Sequence, residues 1–215
     1  MQRRILQEEA IMGLPEVRKY AGEMKTFAGF LYRPFLNELR ALNVSGRYLE
    51  VGAGPGLLAT MIAENDPHVS ITAVDISPDM MTVANEYIQE KRLQNRINYL
   101  QADVNDKNVM QELGKFDLVY STFSMHHWKD PVSSISNLWN AVGDNGKLYI
   151  YDFTRVRWLY YLPLKNGDID SVRASFTTSE LKAITQKIGL INYEVKSFFP
   201  LFLRLIISNI RAKSL

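Results

Sequence analysis

The chain has 215 residues, 47% of them hydrophobic and 22% charged, with a net charge of +2 and no cysteine. That length holds one domain with a sizeable core rather than two full ones, and the small, scattered positive charge does not make a nucleic-acid-binding surface. Without cysteine, disulfides, thiolate metal sites and a cysteine nucleophile are excluded; the composition suits a reducing, cytoplasmic setting. Met1-Gln2-Arg3-Arg4 leads into Glu8-Glu9 and not into an apolar core, so no signal peptide is expected.

Within residues 1–45, Val17, Tyr20, Met24, Phe27, Leu31, Phe35 and Leu39 recur at three- and four-residue steps. They predict one or two amphipathic helices, either packed on a sheet or closing over a site as a cap. From 46 to 215 strand-length apolar runs alternate with helical patterns. Strands are predicted over 48–52, 70–75, 97–102, 116–121, 147–152, 191–199 and 202–211. The first five are continuously apolar, as in a parallel sheet covered on both faces. Ser77-Pro78, Asp130-Pro131 and the Thr177…Glu180 capping box start helices, and Gly189 stops one.

The last two strands meet around Pro200 with no room for a helix, which makes them an antiparallel hairpin. The same apolar tail is interrupted by Arg204, Ser208 and Asn209 and is too short for a bilayer, which takes about 20 apolar residues. The predicted fold is α/β: a doubly wound, Rossmann-like seven-strand sheet, mainly parallel with an antiparallel last strand, and an N-terminal helical cap. The cap takes residues 1–45 and the sheet unit 46–215.

The run Tyr48-Leu49-Glu50-Val51-Gly52-Ala53-Gly54-Pro55-Gly56-Leu57 joins an apolar strand to an apolar helix through a turn with glycine at every second position. Such a turn leaves helix-start amides facing a ligand rich in acceptors or negative charge. A dinucleotide fingerprint, G-x-G-x-x-G, needs its third glycine where Leu57 stands, which weakens a nicotinamide-cofactor reading. Asp75 ends the second strand about 20 residues beyond the loop, where it can accept hydrogen bonds from both ribose hydroxyls. Asp103 follows the third strand, in place to accept from an adenine amine.

With these residues the chain resembles the class I S-adenosylmethionine-dependent methyltransferases. Glu50 to Gly56 matches their first motif, Ala73 to Met80 their second and Gln101 to Val104 their third; Phe116 to Ser121 followed by Met125-His126-His127-Trp128 looks like their fourth, and Gly143 to Ile150 like the turn into their fifth strand. The resemblance covers roughly residues 45–200.

It implies S-adenosyl-L-methionine as cofactor, with Glu50, Gly52, Ala53, Gly54 and Gly56 around its methionine part and Asp75 at the ribose. Ile76 would meet the adenine face and Asp103 and Val104 its edge, Met80 and Ser121 are further cofactor-binding candidates, and Ser121 through His127 would line the path to the methyl group. His126 and His127 are the candidate general bases for an acceptor that must lose a proton. Tyr20, Met24, Tyr32, Met125, His126, Arg155 and Arg157 are candidate acceptor contacts. No metal is required.

The expected activity is methyl transfer to O, N or C of a small, partly apolar or aromatic acceptor. The alternatives are a non-catalytic cofactor-binding partner protein and an NAD-dependent oxidoreductase. The layout resembles that of small-molecule methyltransferases related to quinone biosynthesis, without their N-terminal signature. No membrane span is expected, and the aromatic segments 158–161 or 198–206 are candidate oligomer contacts.

Overall fold

The computed structural model describes residues 13–157, 167–198 and 201–208. Two helices, α1 (Leu14–Leu31) and α2 (Arg33–Leu42), precede the alternation β1 (Arg47–Val51), α3 (Leu57–Asn65), β2 (Ser70–Asp75), α4 (Pro78–Glu90) and β3 (Ile97–Gln101). Then come α5 (Lys107–Glu112), β4 (Phe116–Thr122), a single 3-10 turn (Met125–His127), α6 (Pro131–Asn140) and β5 (Val142–Phe153). After residues 158–166, α7 (Gly167–Ala174), α8 (Thr178–Ile188), β6 (Tyr193–Phe198) and β7 (Phe202–Ser208) follow. No helix among the described residues is long and apolar enough to cross a membrane.

The seven strands lie in the order β3-β2-β1-β4-β5-β7-β6. β1 to β5 are parallel, while β7 runs antiparallel to both β5 and β6. The predicted doubly wound sheet and terminal hairpin are both present. β7 reaches the sheet first and leaves β6 at the edge. That placement follows burial: Leu203, Leu205 and Ile207 are buried, whereas β6 alternates partly buried residues with Glu194, Lys196 and Ser197 exposed to solvent.

Because side chains alternate along a strand, β1 sends Leu49 and Val51 into one core and Tyr48 and Glu50 toward the other face. Helices α2, α3 and α4 cover the Tyr48 face through Phe35, Leu58, Ile62, Ala84 and Ile88. Helices α5, α6 and α8 cover the Leu49 face through Met110, Ile135, Leu138 and Leu181. Both faces being buried is what the continuous apolar runs required.

Helix α2 is a core helix. Phe35 is fully buried against Tyr149 and Tyr120, with ring centroids 4.7 and 5.5 Å away. Glu38 receives the Tyr149 hydroxyl and the Arg204 guanidinium. Helix α1 lies on α4: the Gly13 amide donates to Asp79 (2.9 Å), Arg18 pairs with Glu86 (2.7 Å), and Val17 packs with Met80 and Val83.

Local signals place the helix ends. Ser77 accepts from the Met80 amide, Asp130 from that of Ser133, and Thr177 and Glu180 form the reciprocal capping box before α8, which ends at Gly189 with φ 83°. Thr177→Ala is expected to lower stability by about 1 kcal/mol, read as a shift in the urea midpoint, because it orphans the Glu180 amide.

Among the described residues, strand bounds differ from the sequence reading by more than one residue in two places. β5 begins at Val142, five residues before Lys147, because Val142 pairs with Phe116 before the register breaks and resumes at Leu118–Lys147. β6 begins at Tyr193 and not at Ile191, which is exposed. Positions 199 and 209–211 of the predicted strands lie outside the described residues.

Candidate active site

The strand order reverses between β1 and β4, since β2 and β3 lie to one side and β5 to the other. In an open α/β sheet the crevice at such a point, beyond the carboxyl ends of the strands, is where ligands bind. The register Glu50–Ala73, Val51–Val74 and Asp75–Gln101 brings the ends of β1, β2 and β3 side by side. Glu50, the glycine turn, Asp75, Ile76 and Asp103 therefore share one edge of the sheet.

The glycines of the turn answer to different constraints. Gly52 sits at φ 70°, and a Cβ there would stand 2.1 Å from Ser124 Oγ, in the segment after β4. Gly54 sits at φ 53° with nothing within 4 Å of an added Cβ, so its open side is where a ligand can meet bare backbone. Gly56 caps α3, where a Cβ would crowd Ala84 of α4 at 3.1 Å.

Asp75 holds the loop shut from behind. Its Oδ2 accepts from the Gly54 amide (2.9 Å) and its Oδ1 from the Ser77 amide (3.0 Å). Burial pushes its carboxyl above the usual value, against the pull of these amides. A role toward ribose hydroxyls would thus be added to a structural one, using the second lone pair of each oxygen. The Tyr99 hydroxyl donates to the Gly54 carbonyl, so both polar groups of this residue are fastened.

Glu50 is 2% exposed beneath the turn, where its Oε2 accepts from the Tyr120 hydroxyl at 3.0 Å. Burial pushes its carboxyl up to about 8; the Tyr120 bond opposes this and Asp75 adds to it. Ile76 is 59% exposed, a large apolar side chain bare at a strand end. Met80 and Val104 are buried, the first against Val17. Asp103 accepts from the amide and side chain of Asn105 (2.8 and 3.0 Å).

After β4 the chain turns through Phe123, whose φ of 50° is rare for a bulky residue and costs on the order of 1 kcal/mol or more. The ring lies among Tyr32, Tyr151, Phe153 and Phe202. Ser121 is buried and donates to the Val51 carbonyl, and Met125 is fully buried; both face the core. The His126 backbone amide and Nδ1 both meet Asp152, at 2.9 and 2.8 Å. His127 stands exposed on the same turn, its ring centroid 3.9 Å from that of His126, and desolvation there lowers its pKa against the opposite pull of Asp152.

Arg155, expected at the acceptor, is instead buried and spent on the protein itself: it donates to the Ser175 carbonyl (3.1 Å) and pairs with Glu180, tying the end of β5 to α8. Arg157 is exposed. Phe27 is 63% exposed, away from the sheet, while Tyr20, Met24 and Tyr32 lie on the inner side, where burial, with Tyr20 and Glu50 adding to it, pushes the Tyr32 hydroxyl well above its usual pKa. Residues 158–161 lie outside the described residues, and Phe202 is stacked on Tyr151.

Asp152 was missed by the sequence reading. Its signal was available: it is the fourth acidic residue, after Glu50, Asp75 and Asp103, at or near a strand's carboxyl end. Among the described residues no group of three or more His, Asp or Glu is placed to hold a metal ion.

Fold and site together define a doubly wound α/β protein with a glycine-loop ligand site at its switch point. Residues 49–148 match the methyltransferase domain family. The chain is 30% identical over 135 residues to a malonyl-[acyl-carrier protein] O-methyltransferase from Paenibacillus sp. (strain JDR-2), covering 62% of this chain and 49% of that protein. It is 27% identical over 124 residues to a ubiquinone/menaquinone biosynthesis C-methyltransferase from Citrifermentans bemidjiense, covering 57% and 52%. It thus spans about half the length of these curated relatives. A solved SAM-dependent methyltransferase from Aquifex aeolicus shares the fold with a TM-score of 0.70 at 14% identity, over 93% of this chain and all of that one. Over these residues the chain is similar to methyltransferases, and its fold is that of solved S-adenosylmethionine-dependent methyltransferases.

Proposed function

We propose that this protein binds S-adenosylmethionine at the β1–β4 switch point and transfers its methyl group to a small, partly apolar or aromatic acceptor. The observation that carries the reading is the pairing of Gly54, fastened through both backbone groups yet open on its outer side, with the bare side chain of Ile76 one strand away. Those residues fit an adenosyl ligand: an exposed apolar platform for the base, a carboxylate at the end of β2 for the sugar, and free backbone for the amino-acid part. When bound, the cofactor supplies a sulfonium-activated methyl group. The chain then has to align the acceptor and exclude water.

Calorimetry with S-adenosylmethionine and with NAD tests this reading. Binding of the sulfonium compound alone is expected; tight binding of NAD without it would overturn the proposal. Ile76→Ala is expected to leave the urea midpoint unchanged, since the side chain buries little, while weakening S-adenosylmethionine on the order of tenfold. Equal affinity in the two proteins would remove Ile76 from the site.

A second reading, a cofactor-binding partner protein without turnover, draws on the burial of Ser121 and Met125, which do not face an open cavity. Incubation of the protein with the labelled cofactor and a metabolite extract separates the two. Methylated product supports the enzyme, and binding without product the partner.

A further inference from the structure

Arg47, Ser70, Ile97 and Phe116 open strands β1, β2, β3 and β4, at the edge of the sheet opposite the glycine turn. Between them lies a groove of about 160 Å³ that the methyl-transfer reading does not use. Register and alternation place its floor on one face. Arg47 stands opposite Ser70, and Thr72 opposite Asn98. Two residues further along the same three strands come Leu49, Val74 and Leu100, which belong to the apolar core of that face. A parallel sheet is ordinarily apolar on both faces. At this corner Arg47, Ser70, Thr72 and Asn98 break that rule, all toward the same side.

These side chains are not engaged by the protein itself. Among the described residues the hydroxyls of Ser70 and Thr72 and the carboxamides of Asn95 and Asn98, all lining the groove, have no hydrogen-bond partner. The Arg47 guanidinium lies 5.0 Å from the centre of the Phe116 ring, which steadies it without supplying an acceptor. Arg96 forms a wall with its donors already answered, by the carbonyls of Ala63 (2.7 Å) and Val69 (3.1 Å). Among the described residues no Asp or Glu lines the groove, and Asp117, at the start of β4, has one oxygen held by the Arg47 amide at 2.8 Å.

A guanidinium without a carboxylate beside it in the groove favours an oxyanion, two of whose oxygens it can meet at once. The carboxamides and hydroxyls, each both donor and acceptor, suit alcohol groups. A volume of 160 Å³, the liquid share of about five waters, matches a phosphate with part of a polyol.

We propose that this groove is a second ligand site that takes a phosphorylated polyol, with the phosphate on Arg47 and the alcohol groups on Asn95, Asn98, Ser70 and Thr72. The site lies at the amino ends of the strands, away from the switch-point crevice, and does not rest on the methyl-transfer reading.

The test titrates the full, nitrogen-15-labelled protein at constant ionic strength with ribose 5-phosphate, ribose, inorganic phosphate and sodium chloride, followed in proton–nitrogen spectra. Ribose 5-phosphate is expected to shift the Arg47 Nε–H, the Asn95 and Asn98 carboxamides and the amides of Ser70 to Thr72 together, along one saturable curve. Inorganic phosphate should give the Arg47 part of that pattern at about tenfold higher concentration, and ribose or chloride none of it.

Arg47→Gln should weaken ribose 5-phosphate on the order of tenfold. Asn98→Ala should weaken ribose 5-phosphate and leave inorganic phosphate unchanged. Both side chains are exposed, so both variants are expected to keep the wild-type urea midpoint. Should the loss of the stack on Phe116 unfold Arg47→Gln, Asn98→Ala carries the test alone. The same shifts from chloride, shifts confined to the glycine turn, or undiminished binding in a folded variant would overturn the proposal.

Discussion

Gly52→Ala is expected to destabilise the protein by about 3 kcal/mol and to abolish cofactor binding. Two costs add. The backbone stands at φ 70°, where a side chain costs roughly 1–2 kcal/mol, and the new Cβ would lie 2.1 Å from Ser124 Oγ and 2.6 Å from its Cβ. Ser124 cannot step aside freely, because its hydroxyl accepts from the Trp128 indole at 3.2 Å and so holds the histidine turn.

With a urea m-value of about 2 kcal/mol/M, the midpoint should fall by roughly 1.5 M. The double variant Gly52→Ala with Ser124→Gly should recover the steric part and keep the backbone strain. Gly54→Ala, strained at φ 53° but open, should cost about 1 kcal/mol and mainly affect binding. A Gly52→Ala protein with the wild-type midpoint would mean that the turn is not packed against the segment after β4.

The second large effect concerns pH. Burial holds the Glu50 carboxyl at about 8 in the folded protein, against an ordinary 4.5. Between those values the folded state keeps a proton that the unfolded chain has released. Glu50's contribution is fully present below pH 4.5 and is lost as pH rises to 8, at about 1.4 kcal/mol per unit.

Glu50→Gln keeps the shape and an acceptor for Tyr120 while removing the charge. It should be the more stable protein at pH 8 by roughly 4 kcal/mol, the gap closing toward pH 4.5. Asp75, also raised, contributes slope in the same sense, so the difference between the two proteins isolates Glu50. Urea midpoints measured from pH 5 to 9 check it: parallel curves would show Glu50 ionised throughout.

What could be read from the chain alone was whatever is decided by neighbours in sequence. The alternation of strands and helices, the Ser77, Asp130 and Thr177 caps, the Gly189 stop and the glycine turn after β1 all follow from local backbone preference and hydrophobic period. The terminal hairpin followed from a linker too short for anything else. The candidate positions at the ends of β1, β2 and β3 were legible because parallel strands place successive carboxyl ends along one edge.

Tertiary structure alone decided what each side chain touches, because partners far apart in sequence are set by strand register and helix packing. Asp75 turned out to fasten Gly54, and Gly52 to abut Ser124. Arg155 was drawn into the protein by Glu180, a partner 25 residues on that helix α8 delivers. Asp152 met His126 only because β4 and β5 are neighbours in the sheet, so the turn that leaves one lies over the end of the other. The chain by itself named a histidine turn; the fold supplied the carboxylate that orients it.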